Sequence, residues 1–184
     1  MGDVIGFPSR LRLLRSSAAD HDDPGKRLRV VKTAHPSPEL LETLESYESE
    51  AFGATGLRRY DLAVMAKAGR VLLAYLDDEI VGGCQLMRML DEPDMFYVVG
   101  FYVREEWRGL RLGRTLLLEV AQEAQAAGAE GLVLTVSPEN RSALELYRSM
   151  GFVDEEFAAG FYGEGEDRQV LRWRFGGGNL PGSV

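Results

Sequence analysis

The sequence predicts a mixed α/β fold: one central sheet of about six to seven strands, mostly antiparallel, with helices on both faces. Three observations predict it. Two apolar runs, Met95–Val103 and Gly131–Val136, each lead through a polar turn into a helically periodic segment, so strand–turn–helix units stack against a shared sheet. Two further runs, 71–76 and 80–89, are separated by little more than Asp77-Asp78 and read as an antiparallel hairpin. A chain of 184 residues with 45% hydrophobic content supplies one core of ordinary size.

The elements follow in order. Leu28–Lys32 alternates as a first strand does. Pro36, Ser37 and Pro38 then open a helix that runs through Phe52, its apolar positions Leu40, Leu41, Leu44 and Tyr47 spaced to share a face. A loop at 53–57 leads into a second helix over 60–68, closed by Gly69. After the hairpin, Asp91-Glu92-Pro93-Asp94 turns the chain into the central strand Met95–Val103. A long amphipathic helix is expected over 115–127, then the strand Gly131–Val136, then a helix capped by Asn140 and ended by Gly151. Runs 152–161 and 169–175 are expected to close the sheet as an antiparallel pair. Residues 1–26 and 176–184 are expected to be flexible tails around one domain at 27–175.

Composition narrows the function. A formal charge of −8 disfavours nucleic acid as a partner and suits a cationic acceptor such as an amine. No apolar stretch approaches the roughly 20 residues of a membrane span. No secretory signal is found, and Asp20, Asp22 and Asp23 go against reading the basic start as a transit peptide, so a cytoplasmic place is expected. Cys84 is the single cysteine and lies in an apolar strand. His21 and His35 are both N-terminal, without metal-ligand spacing to Cys84, so no metal site is expected.

Two segments carry chemistry. The central strand runs into Arg108-Gly109-Leu110-Arg111-Leu112-Gly113-Arg114 and then a helix. Free backbone N–H groups at a helix start, beside a cationic turn, suit an anionic phosphate. About thirty residues on, Asn140 opens a helix in which Ala143, Leu144, Tyr147 and Met150 share a face.

In this order and spacing the pair resembles the GNAT superfamily of N-acetyltransferases, over roughly 28–175. The turn matches that family's Arg/Gln-x-x-Gly-x-Gly/Ala pattern, except that Arg111 stands where the middle glycine would be. The resemblance implies acetyl-CoA as cosubstrate. Phe101, Tyr102 and Val103 would offer backbone groups to the acetyl carbonyl and the pantetheine arm. Residues 108–114 (Arg108, Gly109, Leu110, Arg111, Leu112, Gly113 and Arg114) would hold the pyrophosphate. Asn140 would bond the pantetheine region, and Tyr147 would protonate the departing thiolate. The implied reaction is acetyl transfer to a primary amine of a small molecule or peptide by direct attack. A catalytically weak GNAT-like domain that binds acyl-CoA as a sensor or partner-binding module is the alternative. Homodimers are common in the family, and a homodimer stays open here.

The base is less evident. In the ribosomal-protein N-terminal acetyltransferases of this superfamily a glutamate stands five residues before the motif asparagine. Here that place is Thr135, and Met95–Val103 holds no carboxylate. Asp94, Glu155 and Glu156 remain as candidates, as does a water held by Thr135, Ser137 or Tyr102, and no single acid residue is expected to be essential. The segment 161–167 is similar to the tyrosine-rich, Glu-Asp-ended segment lining the acceptor groove in those relatives, which offers Tyr162 and Glu164 to an acceptor.

Overall fold

The computed structural model describes residues 28–176. The chain order is β1 (Leu28–Lys32), α1 (Pro38–Phe52), α2 (Arg59–Ala68), β2 (Arg70–Leu76), β3 (Glu79–Arg88), β4 (Met95–Val103), α3 (Leu112–Ala126), β5 (Gly131–Val136), α4 (Arg141–Ser149), β6 (Val153–Ala158) and β7 (Arg168–Arg174). Single helical turns lie at Gly53–Thr55 and Glu105–Trp107. The strands form one seven-stranded sheet in the order β1-β2-β3-β4-β5-β7-β6, antiparallel throughout except where β4 and β5 run parallel. The expected tails, apart from Gly176, fall outside the described residues.

Alternation along the strands divides the core. Val71 and Leu73 of β2 pack with Ile80 against Leu44 of α1 and Leu62, Met65 and Ala66 of α2. Leu72, Ala74 and Leu76 face the other way, into the larger cluster with Leu116, Leu117, Val120 and Ala121 of α3 and Leu144 and Tyr147 of α4. Period-2 strands buried on both faces thus hold a helix pair on each side.

Two irregularities in β4 shape the centre. Its parallel pairing with β5 runs from Met95↔Gly131 to Val98↔Leu134 and stops there. Beyond that point the strands part, and the β5-facing backbone of residues 99–103 has no strand to bond. On its other edge, Gln85 of β3 opposes Gly100 while Leu86 opposes Val98, so Val99 is an inserted residue and β4 bulges there.

Two boundaries differ from expectation by three residues, the others by no more than one or two. α3 starts at Leu112, three residues early, because Arg111 takes a left-handed conformation (φ 59, ψ 12) that turns the chain straight into the helix. β6 ends at Ala158, because Gly160, Gly163 and Gly165 all have positive φ and curl residues 159–167 into consecutive turns.

Candidate active site

The parting of β4 and β5 opens a cleft of about 1050 Å³, with α3 and α4 at one end and the C-terminus of α1 at the other. Arg108, Arg111, Arg114 and Arg168 line it, against the single carboxylate of Glu145. A cationic lining in a chain of net charge −8 is a local arrangement that favours an anionic ligand.

At the first end the turn is built from backbone. Arg108 Nε donates to the Val103 carbonyl at 3.1 Å and ties the turn to the end of β4. Gly109 (φ 83) and Arg111 both use positive φ. Arg114 and Thr115 N–H groups bond back to the Arg111 carbonyl, and among the described residues the N–H groups of Leu112 and Gly113 before them have no acceptor. A helix start with such donors and three nearby guanidiniums fits a pyrophosphate. Gly113 also lets α3 approach α4, since a Cβ there would lie 3.3 Å from Leu146 Cδ2. Leu110 is exposed and does not line the cleft, so of residues 108–114 it alone is set apart.

α4 presents the next groups. Asn140 caps it, its Oδ1 accepting from Ala143 N at 3.2 Å and Ser142 Oγ at 3.1 Å, which leaves the amide NH₂ as donor at the cleft. Gly151 (φ 104) ends it, with the Phe152 N–H returning to the Tyr147 carbonyl at 3.1 Å. Between these fixed ends Tyr147 is 6% exposed, held by the rings of Phe101 (centroids 6.1 Å apart) and Phe152 (5.5 Å). Burial, with a smaller contribution from Cys84, pushes its phenol above the ordinary value, so it stays protonated at neutral pH. Its hydroxyl has no hydrogen-bond partner among the described residues. Phe101, Tyr102 and Val103 also line the cleft, and the Tyr102 ring packs edge-on to Phe52 of α1 at 6.1 Å.

At the other end Thr135 lines the cleft and carries a hydroxyl chain whose two tyrosines, Tyr97 and Tyr162, stand outside the lining. Thr135 Oγ1 lies 3.1 Å from the Tyr97 hydroxyl and 3.4 Å from that of Tyr162, and the Arg168 guanidinium stacks over the Tyr162 ring at 4.9 Å. Burial, partly offset by the Thr135 bond, pushes the Tyr97 phenol up to about 12. Glu164 is exposed and lies outside the lining. The carboxylates considered from sequence stand elsewhere: Asp94 meets Arg174 at 3.1 Å, Glu155 meets Arg172 at 2.7 Å, and Glu156 is exposed on β6.

Residues 37–152 match the acetyltransferase (GNAT) family. The chain belongs to the GNAT acetyltransferase family. It is 32% identical over 117 residues to the IAA acetyltransferase of Azospirillum brasilense, taking in 63% of this chain and 76% of that one. It is 28% identical over 171 residues to an N-alpha-acetyltransferase of Sulfurisphaera tokodaii, covering 90% and 93% of the two chains. A GNAT family acetyltransferase from Elizabethkingia anophelis, solved with acetyl-CoA bound, shares the fold with a TM-score of 0.64 at 18% identity, over 83% of this chain and 100% of that one. The two segments singled out in the sequence, 108–114 apart from Leu110 and the helix opened by Asn140, line the first end of the cleft. Sequence reasoning did not single out Phe52, Tyr97, Trp107 or Arg168, nor Glu48, which is 1% exposed on α1. Glu48 had a signal: it follows Leu44 by four and Leu41 by seven residues, on the apolar stripe of its helix.

Proposed function

We propose that this chain transfers an acetyl group from acetyl-CoA to a primary amine of a small molecule or peptide by direct attack. The observation that carries the reading is Tyr147, a buried, protonated, unpartnered phenol placed where the open edge of β4 faces the cleft. The residues present fit the cosubstrate. The turn at 108–114 supplies backbone and guanidinium donors to its pyrophosphate, and Asn140 a donor to its pantetheine arm. N–H groups of the unpaired β4 edge stabilise the negative charge that develops on the acetyl oxygen.

The acceptor enters from the α1 side, between Phe52 and the Tyr97–Thr135–Tyr162 hydroxyls. An amine is mostly protonated at neutral pH and must lose a proton before it attacks. Thr135 is no base at that pH, so its part is to order a water between amine and solvent, with the two tyrosines fixing its hydroxyl. As the C–S bond breaks, Tyr147 donates its proton to the sulfur, the amide nitrogen sheds its second proton to water, and the phenol takes one back from water before the next turnover. The same dry surroundings that raise the phenol also raise the basicity of the thiolate, so the transfer stays matched. The Sulfurisphaera relative supports a peptide amine as acceptor, and the Azospirillum relative a small molecule.

Release of free thiol from acetyl-CoA across polyamines, aminoglycosides, amino acids and short peptides tests this, beside calorimetric binding of acetyl-CoA. Turnover on one amine class, lost in Tyr147→Phe with binding intact, supports transfer. The lack of any acidic group on the acceptor side of the lining favours a second reading, a module that binds acyl-CoA without turnover. Tight binding with no thiol release on any amine would support that module instead.

A further inference from the structure

Behind the acceptor side of the cleft sits a buried polar group that the reaction described above does not use. Glu48 projects from α1 into the interface with the sheet and is 1% exposed. Oε2 accepts from the Leu57 N–H at 3.2 Å, and Oε1 accepts from Gln85 Nε2 at 2.9 Å. Among the described residues no cation pairs with it. Gln85, also 1% exposed, opposes Gly100 across the β3–β4 ladder, and its Oε1 has no donor. That oxygen occupies the space a Cβ on Gly100 would fill, so Gly100 is what admits the Gln85 amide to the bulge. The loop after α1 is equally tight, since a Cβ on Gly56 would press on the Glu48 carbonyl.

Each end of this connection touches the cleft. Ala51 and Phe52 follow Glu48 by three and four residues, on the same face of α1, and both line the cleft, as does Gly100. Glu48 itself does not line it and cannot reach an amine, so it is no base. A carboxylate buried without a counter-charge is costly, and a fold that only needed a cap for Leu57 has cheaper ones. What this carboxylate adds is a link from the loop, through Gln85, to the bulge of β4, where the acetyl oxygen is to be held.

We propose that Glu48 is a positioning residue: through Gln85 it couples the loop after α1 to the β4 bulge, so that the acceptor wall and the carbonyl-binding backbone keep one fixed geometry. The proposal rests on the reading of the α1 side as the acceptor entrance. Burial, opposed by its two hydrogen bonds, raises the Glu48 carboxyl from 4.5 to about 7. The other titratable groups that feel its charge are Tyr102 on β4 and Cys84 on β3, both pushed up by burial first and by Glu48 second, and so out of the neutral range. Tyr47 and Glu50 on α1 and Arg104, which lies 4.3 Å over the Tyr47 ring and pairs with Glu79, are further charged and titratable groups that act on Tyr102. The Glu48 proton is therefore a usable probe of the connection.

The test follows the amide resonances of Leu57 and Gly100 by NMR between about pH 5.5 and 8.5, with and without acetyl-CoA. In the wild-type protein both are expected to move with one shared midpoint near 7. In Glu48→Gln, which keeps the shape and can still bond Leu57 and Gln85, both are expected to be flat. In Gln85→Met, which leaves the Glu48–Leu57 bond in place, Leu57 is expected to titrate and Gly100 to stop. A Gly100 resonance that is flat in the wild type, or that still titrates in Gln85→Met, overturns the coupling. Should Glu48→Gln fail to fold, the Gln85→Met spectrum decides alone. The readout needs no acceptor, so a failure of every amine to be acetylated would sink the reading of the cleft without deciding the coupling.

Discussion

The two ends of the cleft are built by different means. The end proposed for the cofactor is local: residues 108–114 and α4 with its Asn140 cap place their donors, backbone N–H groups beside guanidiniums and the Asn140 amide, within short stretches of chain. The end proposed for the acceptor is assembled from α1, β3, β4, β5, the turns at 159–167 and the start of β7, and its groups are side chains that meet over separations of 27 to 38 positions, such as Thr135 with Tyr162. A phosphate can be gripped by any helix start in the right turn, whereas an acceptor must be fitted from several directions at once. One end is thereby fixed by chain geometry and the other is free to vary.

The largest effect tests whether the two ends meet at Tyr147. Tyr147→Phe keeps the ring contacts with Phe101 and Phe152 and removes only the proton. A loss of roughly 10²–10³-fold in kcat is expected, within the usual range for one general acid, with the dissociation constant of acetyl-CoA unchanged by calorimetry. An unchanged kcat would mean that the thiolate leaves without help and that the cleft's two ends are joined by some other group.

Glu48→Gln tests the acceptor end through stability. The folded carboxyl titrates at about 7 against 4.5 unfolded, so folding favours its protonated form. That contribution is whole below about pH 4.5 and is lost as pH rises to about 7. Above pH 7 ionisation is set against the fold by up to about 3 kcal/mol. A glutamine never ionises, so the variant should melt near the wild type at pH 4.5 and several degrees above it at pH 8. Equal melting at pH 8 would show that a partner compensates the charge. A group that weakens its own fold at working pH is the kind retained for function rather than stability.

The same contrast sets what the sequence disclosed. The strand–turn–helix units, the Asn140 cap and the Gly151 stop were legible because each is written in adjacent residues obeying local rules. The hairpin and the central strand were legible from apolar runs and the turn residues between them. The start of α3 was misplaced because nothing in the name of Arg111 announces a left-handed residue. β6 stops short of residue 161 because Gly160, Gly163 and Gly165 bend the chain in succession, and apolar content alone does not reveal that. Glu48 and Gln85 were invisible as a pair because no spacing along the chain predicts which buried polar residues a helix and a sheet will bring together. The carboxylates that spacing did offer are engaged with Arg172 and Arg174 or lie outside.

Arg111→Gly sharpens the account of the cofactor end by separating its two devices. A left-handed non-glycine residue costs about 1–2 kcal/mol, and glycine returns roughly 0.5–1 kcal/mol of that as extra freedom in the unfolded chain. The variant should thus be slightly more stable, by on the order of 0.5 kcal/mol. It should bind acetyl-CoA about fivefold more weakly, roughly 1 kcal/mol for one exposed guanidinium on a phosphate, with a shallower dependence on salt. Binding that tightens would show that the backbone alone does the gripping and that the arginine obstructs it.

The smallest effect is expected at Gly113, and it decides what a glycine does at the end of the turn. Its φ is not positive, so the residue is not there for conformation. A Cβ would meet Leu146 Cδ2 at 3.3 Å and Val103 Cγ2 at 3.8 Å. The first is the end of a half-buried side chain that can give by a few tenths of an ångström, and alanine recovers up to about 1 kcal/mol of helix propensity over glycine. Gly113→Ala should therefore leave stability within about 0.5 kcal/mol of the wild type, and the N–H it presents stays where it was. If backbone donors and guanidiniums account for the grip, acetyl-CoA affinity should change by no more than about twofold. A tenfold loss by calorimetry, with melting unchanged, would mean instead that the pyrophosphate packs directly on the Gly113 α-carbon, and that close approach, more than the count of donors, fixes the cofactor end.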